Sequence, residues 1–316
     1  MKISLPETID TLLRAKKIVL TAHVNPDGDA IGSTLGLMHF LHNLGKETLV
    51  LIDDDIPATF KVLPGYECLQ RPEEGKKIAA DLLVALDVSL DRIGIVGDVV
   101  AAPTLNIDHH PTNDEKADNL YLDGSRAATA EIIYQLIEKA NGNFTKEIAM
   151  CLYTGIATDT GWFRFSNTTS LTMQIAANLI DSGAEPNVIS EALEEKPFER
   201  IKALAEAMNK IELFANGKIG AVFLDYSTIN RLEHTDGLIN FIRVIEGVKI
   251  ALVLKEKEPD LCRVSMRSKG IDVAKVAIAF NGGGHVRAAG CTIKLPFAEA
   301  KKAILKAVTA AVEEQN

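Results

Sequence analysis

Short apolar runs alternate with helical patterns through the first half of this 316-residue chain. Residues 18–22 (IVLTA), 49–52 (LVLI) and 82–86 (LLVAL) have the length and continuous apolar character of strands buried on both faces. Between the first two, residues 30–44 place apolar side chains at helical spacing and stop before Gly45. The order strand, helix, strand predicts βαβ units, and therefore an α/β fold with a mostly parallel sheet flanked by helices.

The pattern breaks around residues 183–186 (GAEP), which divides the predicted domains. Residues 187–214 have a helical pattern that is interrupted at Pro197, because proline cannot continue a helix. Beyond them, apolar runs at 219–224, 248–254 and 262–266 predict strands, and 272–280 and 297–314 predict helices. We therefore predict a first domain over 1–186, a helical linker over 187–214 and a smaller C-terminal α/β domain over 215–316.

The net charge of −9 is unevenly distributed along the chain. Residues 1–186 carry 26 acidic and 15 basic side chains, whereas residues 187–316 carry 17 acidic and 19 basic ones. The negative net charge of the whole chain disfavours sequence-independent binding of long duplex nucleic acid, because such binding depends on neutralising many phosphates. Differing solvated surfaces would explain the asymmetry, but so would a first domain that gathers carboxylates around cations and a second that receives an anion.

Cysteine usage and hydropathy indicate the compartment. The four cysteines are far apart and form no CxxC pair, which argues against a disulfide scaffold and against a thiolate zinc site. The N-terminus lacks the uninterrupted apolar stretch of a signal peptide, and no segment approaches the roughly 20 apolar residues of a membrane span. We expect a cytoplasmic protein with no membrane partner.

Four polar motifs follow the predicted strands and helices of the first domain. Their acidic and histidine residues are, in chain order, His23, Asp27, Asp29, Asp87, Asp108, His109, His110 and Asp159. Ligand sites of parallel sheets lie beyond the carboxyl ends of the strands, so these side chains are expected to converge. Each motif alone has an ordinary explanation as a surface turn or a helix cap, since aspartate is a favoured N-cap.

Taken together, the motifs predict a metal centre. A donor set of mostly carboxylate oxygen with some imidazole favours Mn²⁺ or Mg²⁺, with Fe²⁺ acceptable, over a tetrahedral zinc site. Six such ligands are too many for one ion that must also hold water, but they suit two ions roughly 3.5–4 Å apart that clamp a displacement at phosphorus. Four neighbouring carboxylates would also repel one another strongly without cations.

In this order the motifs HVNPDGDAIGS, LD, DHH and TDTG resemble those of DHH phosphoesterases. The second domain resembles the DHH-associated C-terminal domain through Ser265-Met-Arg267-Ser268 and the glycine-rich residues 281–290 (NGGGHVRAAG). The forms NPDGDA and GGGH-x-x-AAG are most similar to the nanoRNase/pAp-phosphatase branch. One departure is Asn281, where the family usually has a fourth glycine; asparagine tolerates left-handed conformations better than most residues.

The resemblance implies a role for each residue of the first domain. One metal ion would be held by His23, Asp27 and Asp87, and a second by Asp29, Asp87, His109 and Asp159, with Asp87 bridging the two. Asp108 would orient His109. His110 would be catalytic and lie beside the scissile phosphate, as a proton donor or as a stabiliser of the transition state.

The second domain would bind the substrate. The residues implied are Arg267, Ser268, Gly282, Gly283, Gly284 and His285. A glycine loop can bring backbone N–H groups against an anion, and an arginine can fork onto a phosphate or stack on a base.

The resemblance further implies the substrates. They would be short oligoribonucleotides, cut exonucleolytically, and 3′-phosphoadenosine 5′-phosphate (pAp), hydrolysed by two-metal activation of water, and the enzyme would be a homodimer. Three alternatives remain open at this stage. The protein could be a phosphodiesterase for linear dinucleotides such as pApA or for short DNA, a module that binds a nucleotide without hydrolysing it, or a pyrophosphatase.

Overall fold

The computed structural model describes residues 1–232 and 237–314. The chain divides into two compact units, Met1–Glu195 and Lys196–Asn316. This division lies between Glu195 and Lys196, inside the segment for which the sequence predicts a linker and just before Pro197. The first of the two helices in that segment therefore belongs to the first unit and the second helix to the second unit.

The first unit is an α/β structure. Its helices are α1 Leu5–Arg14, α2 Gly28–Asn43, α3 Val96–Val99, α4 Thr129–Lys139, α5 Lys146–Asp159, α6 Ser170–Asp181 and α7 Pro186–Glu194. Its strands are β1 Lys17–Thr21, β2 Glu47–Leu51, β3 Leu69–Gln70, β4 Ile78–Ala79, β5 Leu82–Leu86, β6 Val100–Ala101, β7 Thr104–Asp108 and β8 Asn119–Leu122. Short 3₁₀ helices lie at Ala58–Val62, Tyr66–Cys68 and Leu90–Arg92.

The main sheet of this unit has the strand order β3-β2-β1-β5-β7-β8, and every neighbouring pair is parallel. The chain adds β2 and β3 on one side of β1 and then returns to add β5, β7 and β8 on the other side. The strand order therefore reverses between β1 and β5, which is where open parallel sheets bind their ligands. The predicted fold class is confirmed.

Apolar side chains cover both faces of this sheet. Ile18 and Leu20 of β1 face the larger core, formed with α1, α2, α4 and α5, whereas Val19 faces a smaller one that contains Val96 and Val99 of α3. Strand β5 is buried along its whole length. Burial on both faces explains why these strands are continuous apolar runs in the sequence.

Helices α2 and α5 pack closely because glycines face the contact. A Cβ atom on Gly32 of α2 would lie 2.4 Å from the carbonyl oxygen of Cys151 in α5, and one on Gly155 of α5 would lie 2.8 Å from Asp29 Oδ1. This close approach carries the first turn of α2 to the C-terminal end of α5. Asp29 and Asp159, which lie at those two ends, are thereby brought to the same edge of the sheet.

The second unit has a mixed sheet with helices on both faces. Its elements are α8 Phe198–Met208, β9 Glu212–Phe214, β10 Ile219–Leu224, α9 Tyr226–Arg231, α10 Leu238–Arg243, β11 Ile250–Glu258, β12 Leu261–Ser268, α11 Val273–Ile278, β13 Gly283–His285, β14 Ala288–Ile293 and α12 Phe297–Glu313. The strand order is β13-β14-β12-β11-β10-β9, with β10 and β11 parallel and the other pairs antiparallel.

Helices α9 and α10 and strand β14 were not predicted, and two segments of this unit adopt a structure other than the one predicted for them. Residues 212–214, expected at the end of the linker helix, pair with β10 as a strand. Residues 283–285, expected in a loop, form the edge strand β13, because Gly282 and Gly284 allow the chain to lie closely against β14. Across the described residues of both units, no helix combines the length and the apolar character needed to cross a bilayer.

Candidate metal centre and substrate surface

The acidic and histidine residues of the four predicted motifs lie together at the edge of the first sheet, where the strand order reverses between β1 and β5. His23 follows β1, Asp87 follows β5, and Asp108 ends β7 and leads directly into the two adjacent histidines. Asp29 lies in the first turn of α2, and Asp159 is the last residue of α5. Each strand or helix thus contributes its ligand from an end that faces the same side of the sheet.

His23, Asp27 and Asp87 form one group that could hold a metal ion. The Nε2 atom of His23 lies 3.8 Å from Asp27 Oδ1 and 3.8 Å from Asp87 Oδ2. Its other ring nitrogen, Nδ1, lies 2.9 Å from the carbonyl oxygen of Val24. A backbone carbonyl on Nδ1 fixes the proton there and leaves Nε2 as the ligand atom, an arrangement typical of metal-binding histidines.

Asp29, His109 and Asp159 form a second such group. His109 Nε2 lies 3.9 Å from Asp29 Oδ2, 3.6 Å from Asp159 Oδ2 and 3.5 Å from Asp87 Oδ1. Its Nδ1 faces the carbonyl oxygen of Arg126 at 3.2 Å. The Nε2 atom is buried and has no hydrogen-bond partner among the described residues, although buried polar nitrogens are normally satisfied. A metal ion fits this nitrogen and the surrounding carboxylates.

Asp87 belongs to both groups. Its Oδ2 faces His23 and its Oδ1 faces His109, which is the arrangement of a carboxylate that bridges two ions. Asp87, His109 and His110 form a third group that could hold a metal ion. The Nδ1 atom of His110 lies 3.5 Å from Asp87 Oδ1.

Without cations these carboxylates repel one another. Burial, reinforced by the charges of Asp29 and Asp27, raises the pKa of Asp87 well above its usual value. Burial and the same two charges raise the pKa of Asp159 to about 8. Divalent cations would remove this repulsion, so the electrostatics and the donor geometry favour the same ligand class.

Left-handed backbone conformations occur at three of the four motifs. Asn25 has φ 56°, Asp87 has φ 59°, and Trp162 and Phe163, shortly after Asp159, have φ 60° and 61°. Non-glycine residues seldom adopt this region, and such strain is retained mainly where a site requires it. At Asp87 it turns the carboxylate from the buried strand toward both histidines.

The N-terminus of α4 supports the carboxylates, a feature that the sequence analysis missed. The backbone N–H of Thr129 donates to Asp29 Oδ2 at 2.6 Å, and that of Ala130 donates to Asp29 Oδ1 at 2.9 Å. The Thr129 hydroxyl donates to Asp87 Oδ1 at 3.0 Å. Helix N-termini favour negative charge, so α4 partly offsets the repulsion. No local signal marks Thr129, because its partners lie far away in the chain.

Asp108 orients His110 and not His109, which corrects the expectation from the sequence. Its Oδ1 accepts from His110 Nδ1 at 2.8 Å, while His109 is turned toward the Arg126 carbonyl. Burial acts to raise the pKa of Asp108, but hydrogen bonds from His110 and from Asn113 outweigh it and hold the pKa below its usual value.

In the second unit, strand register places Arg267 and His285 on one face. Arg267 pairs with Ala288, and Ala288 pairs with His285 on the edge strand. Directly paired residues of antiparallel strands share a face, so the two side chains flank the small Ala288. Arg267 is half-buried, and burial together with the nearby charge of Arg243 lowers the pKa of its guanidinium. An anion would offset this accumulation of positive charge.

Ser268 does not share this surface, which corrects its predicted role. Successive residues of a strand point to opposite faces, so Ser268 lies on the face opposite Arg267. Its side chain is buried, and its hydroxyl donates to the carbonyl oxygen of Ile271. Ser268 therefore stabilises the turn after β12.

The predicted glycine loop is an edge strand, and its glycines serve different purposes. A Cβ on Gly282 would lie 2.3 Å from the carbonyl oxygen of Gly290, and Gly284 has φ 133° and would contact the Ala288 carbonyl. These two glycines allow close strand packing. A Cβ on Gly283 would meet no atom within 4 Å, so a flat ligand could approach the backbone at this position.

A parallel sheet with a carboxylate and histidine centre at its reversal point is typical of metal-dependent phosphoesterases, and this chain belongs to the DHH family of phosphoesterases. Residues 17–156 match the DHH family N-terminal domain, and residues 222–314 match the DHHA1 domain. The chain is 36% identical to the bifunctional oligoribonuclease and PAP phosphatase NrnA of Thermus thermophilus, over 92% of this chain and 89% of that protein.

Two further comparisons agree with this assignment. The protein of the same name from Bacillus subtilis is 30% identical over 91% of this chain and 92% of that protein. Among solved structures, an exopolyphosphatase-related protein from Bacteroides fragilis superimposes with a TM-score of 0.87 at 26% identity, over 96% of this chain and 94% of that one.

Proposed function

We propose that the protein hydrolyses short oligoribonucleotides, exonucleolytically, and pAp, yielding AMP and phosphate from the latter, with two divalent metal ions as cofactors. The observation that supports this most directly is the position of Asp87 between two groups of ligands, one with His23 and one with His109. The names of the Thermus and Bacillus relatives support the substrates. Mn²⁺ is the ion we favour, and Mg²⁺ and Fe²⁺ suit the same donors.

The residues of the first unit would act in a defined way. When bound, the two ions supply an activated water and neutralise the charge that develops on phosphorus. His23, Asp27 and Asp87 hold one ion, and Asp29, Asp87, His109 and Asp159 hold the other. His110, supported by Asp108, donates a proton to the leaving oxygen or stabilises the charged phosphate.

The second unit would capture the substrate. Arg267 and His285 bind a phosphate, and the backbone at Gly283 and the small Ala288 accept the flat face of a base. We assign catalysis to residues 1–186 and capture to 215–316, joined by 187–214.

Parallel assays of pAp and a labelled RNA dinucleotide, with Mn²⁺ and with EDTA, test this function. Asp87→Asn weakens the shared ligand, and Asp10→Asn is a matched control because Asp10 is an exposed carboxylate on α1. We expect the wild type and Asp10→Asn to cut both substrates, and EDTA or Asp87→Asn to abolish cleavage.

Other outcomes would identify the alternatives. Faster cleavage of pApA or of short DNA than of pAp and RNA would indicate a different preferred substrate. Nucleotide binding without turnover in saturating Mn²⁺ would indicate a binding module. Rapid phosphate release from pyrophosphate alone would indicate a pyrophosphatase.

A further inference from the structure

A buried pair of asparagines lies behind the Asp108–His110 pair and is not explained by metal binding. Asn106 is in β7 and Asn113 is in the loop that follows His110; their side chains are 1% and 9% exposed. We propose that Asn106 and Asn113 are positioning residues that fix the orientation and the tautomer of His110 through Asp108. This inference rests on the proposed role of His110 in phosphoester hydrolysis.

Asn106 begins the network at the backbone on either side of Asp87. Its Nδ2 donates to the carbonyl oxygens of Ala85 at 2.9 Å and of Val88 at 2.8 Å. Because a carbonyl oxygen only accepts, the amide nitrogen of Asn106 has to face this backbone, and its Oδ1 has to face the other way. That oxygen accepts from Asn113 Nδ2 at 2.8 Å.

Asn113 has its orientation fixed twice. Its Oδ1 accepts from the backbone N–H of Glu115 at 2.9 Å. Because a backbone N–H can only donate, the oxygen of the Asn113 amide has to face Glu115. Its Nδ2 therefore faces the acceptors, namely Asn106 Oδ1, Asp108 Oδ2 at 2.6 Å and the Val88 carbonyl at a longer 3.4 Å. Two independent constraints thus direct an N–H donor at Asp108.

Asp108 then determines the state of His110. One carboxylate oxygen is held by Asn113, and the other accepts from the backbone N–H of His110 at 3.1 Å and from its Nδ1 at 2.8 Å. A carboxylate that accepts on both oxygens requires a proton on Nδ1 of the imidazole. In the neutral ring the basic lone pair is then on Nε2, so His110 can give a proton to the leaving oxygen only from an Nε2–H that the ring has first taken up as the imidazolium.

The network serves more than the stability of the fold. It links the backbone around the shared carboxylate Asp87 to the ring of His110, so that the metal ligands and the proposed proton donor keep one relative position. Partners that orient a catalytic or ligand side chain typically change activity 10- to 100-fold when removed. Buried amides that only satisfy backbone carbonyls would lower stability without that effect.

The test uses the full chain with Asn113→Ala, the milder Asn113→Ser, and Thr8→Val as a matched control. Thr8 lies in α1, its side chain is fully buried, and its hydroxyl donates to the carbonyl oxygen of the N-cap residue Ser4, so its replacement also removes a side-chain hydrogen bond. In metal-free protein with ¹⁵N-labelled histidine, long-range NMR correlations report which ring nitrogen of His110 carries the proton, and His110→Ala identifies the signal. Turnover of pAp in Mn²⁺ and calorimetric Mn²⁺ titration complete the measurements.

We expect a Nδ1–H tautomer in the wild type and in Thr8→Val, and a mixture in both Asn113 variants. In those variants kcat should fall roughly 10- to 100-fold, with KM and Mn²⁺ affinity within about twofold of the wild type. When His110 is already replaced by alanine, adding Asn113→Ala should lower kcat by less than about twofold, because Asn113 is proposed to act through His110.

Two results would overturn the inference: an unchanged tautomer and kcat in variants that are merely less stable, or an undiminished loss of kcat in the His110→Ala background. Absence of wild-type turnover on pAp and RNA would refute the proposed function instead. The tautomer signal would still decide whether Asn113 positions His110.

Discussion

Replacing Asp159 by asparagine should make the metal-free protein more stable at pH 8 and reduce the stabilisation by Mn²⁺. Burial, followed by the charges of Asp29 and Asp27, raises the pKa of Asp159 from 3.8 to about 8. A carboxyl group with a higher pKa in the folded than in the unfolded chain binds its proton more tightly when folded. Its contribution to the free energy of unfolding therefore falls as the pH rises from about 4 to about 8 and is constant outside that window.

The loss of stability caused by the Asp159 charge can be calculated from the difference between the folded and unfolded pKa values. The difference between a pKa of 3.8 and one of about 8 sets a ceiling of about 6 kcal/mol on the loss of stability. The side chain is 29% exposed, so water and counterions screen part of the charge, and we expect about 2–3 kcal/mol. Asparagine has nearly the same shape and no charge, so it should remove the whole destabilisation at pH 8 and the roughly one quarter of it that is present at pH 5.

Urea unfolding in EDTA at pH 5 and pH 8 measures the difference, with Asp10→Asn as an exposed carboxylate control. The stability gap between Asp159→Asn and the wild type should be about fourfold larger at pH 8 than at pH 5, because pH 5 lies near the lower end of the window. In saturating Mn²⁺ the order should reverse, because the wild type keeps a ligand that the variant lacks. A variant no more stable than the wild type at pH 8 in EDTA would refute the electrostatic argument, as would an equal gap at both pH values.

Two further predictions concern the support of the site. Thr129→Val, which removes the hydroxyl donor to Asp87 but keeps the backbone donors to Asp29, should weaken Mn²⁺ binding roughly 10- to 100-fold by calorimetry. Thr129→Ser should bind like the wild type, and equal affinities for both variants would show that the hydroxyl is dispensable. Gly32→Ala places a methyl 2.4 Å from the Cys151 carbonyl and should cost about 2–4 kcal/mol in urea unfolding. Gly97→Ala, whose methyl would meet its nearest atom at 3.6 Å, is the control, and a similar small change in both would contradict the packing argument.

The parallel sheet was predictable because its strands are buried on both faces. Strand β5 occupies residues 82–86, as predicted, since Asp81 and Asp87 bound a continuous apolar run. The edge strand β13 was not predicted, because a run of glycines has the composition of a loop and its pairing partner is defined only by the tertiary fold. Helix α1 was also missed, although Ser4 and Glu7 form a capping box that marks its start.

In the site, residue types predicted which side chains converge but not how they are held. His23 and His109 each meet the carboxylates proposed for them, as the strand ends required. The support from Thr129 could not be predicted, because its hydrogen bond to Asp29 joins residues 100 positions apart. The assignment of Ser268 beside Arg267 was avoidable, since strand alternation alone places adjacent residues on opposite faces.

The proposed metal centre combines a preformed geometry with repulsion between its carboxylates. Asp29 is held by two backbone donors of α4, Asp87 by the Thr129 hydroxyl, and both ligand histidines by backbone carbonyls on Nδ1. These contacts fix the ligand atoms without an ion, so binding requires little rearrangement of side chains. Despite these contacts, burial, together with the charges of Asp29 and Asp27, raises the pKa values of Asp87 and Asp159. The fold therefore keeps the carboxylates together against their repulsion, and relief of that repulsion adds to the free energy with which the ions bind. Metal affinity should accordingly rise with pH until Asp159 has lost its proton in the metal-free protein.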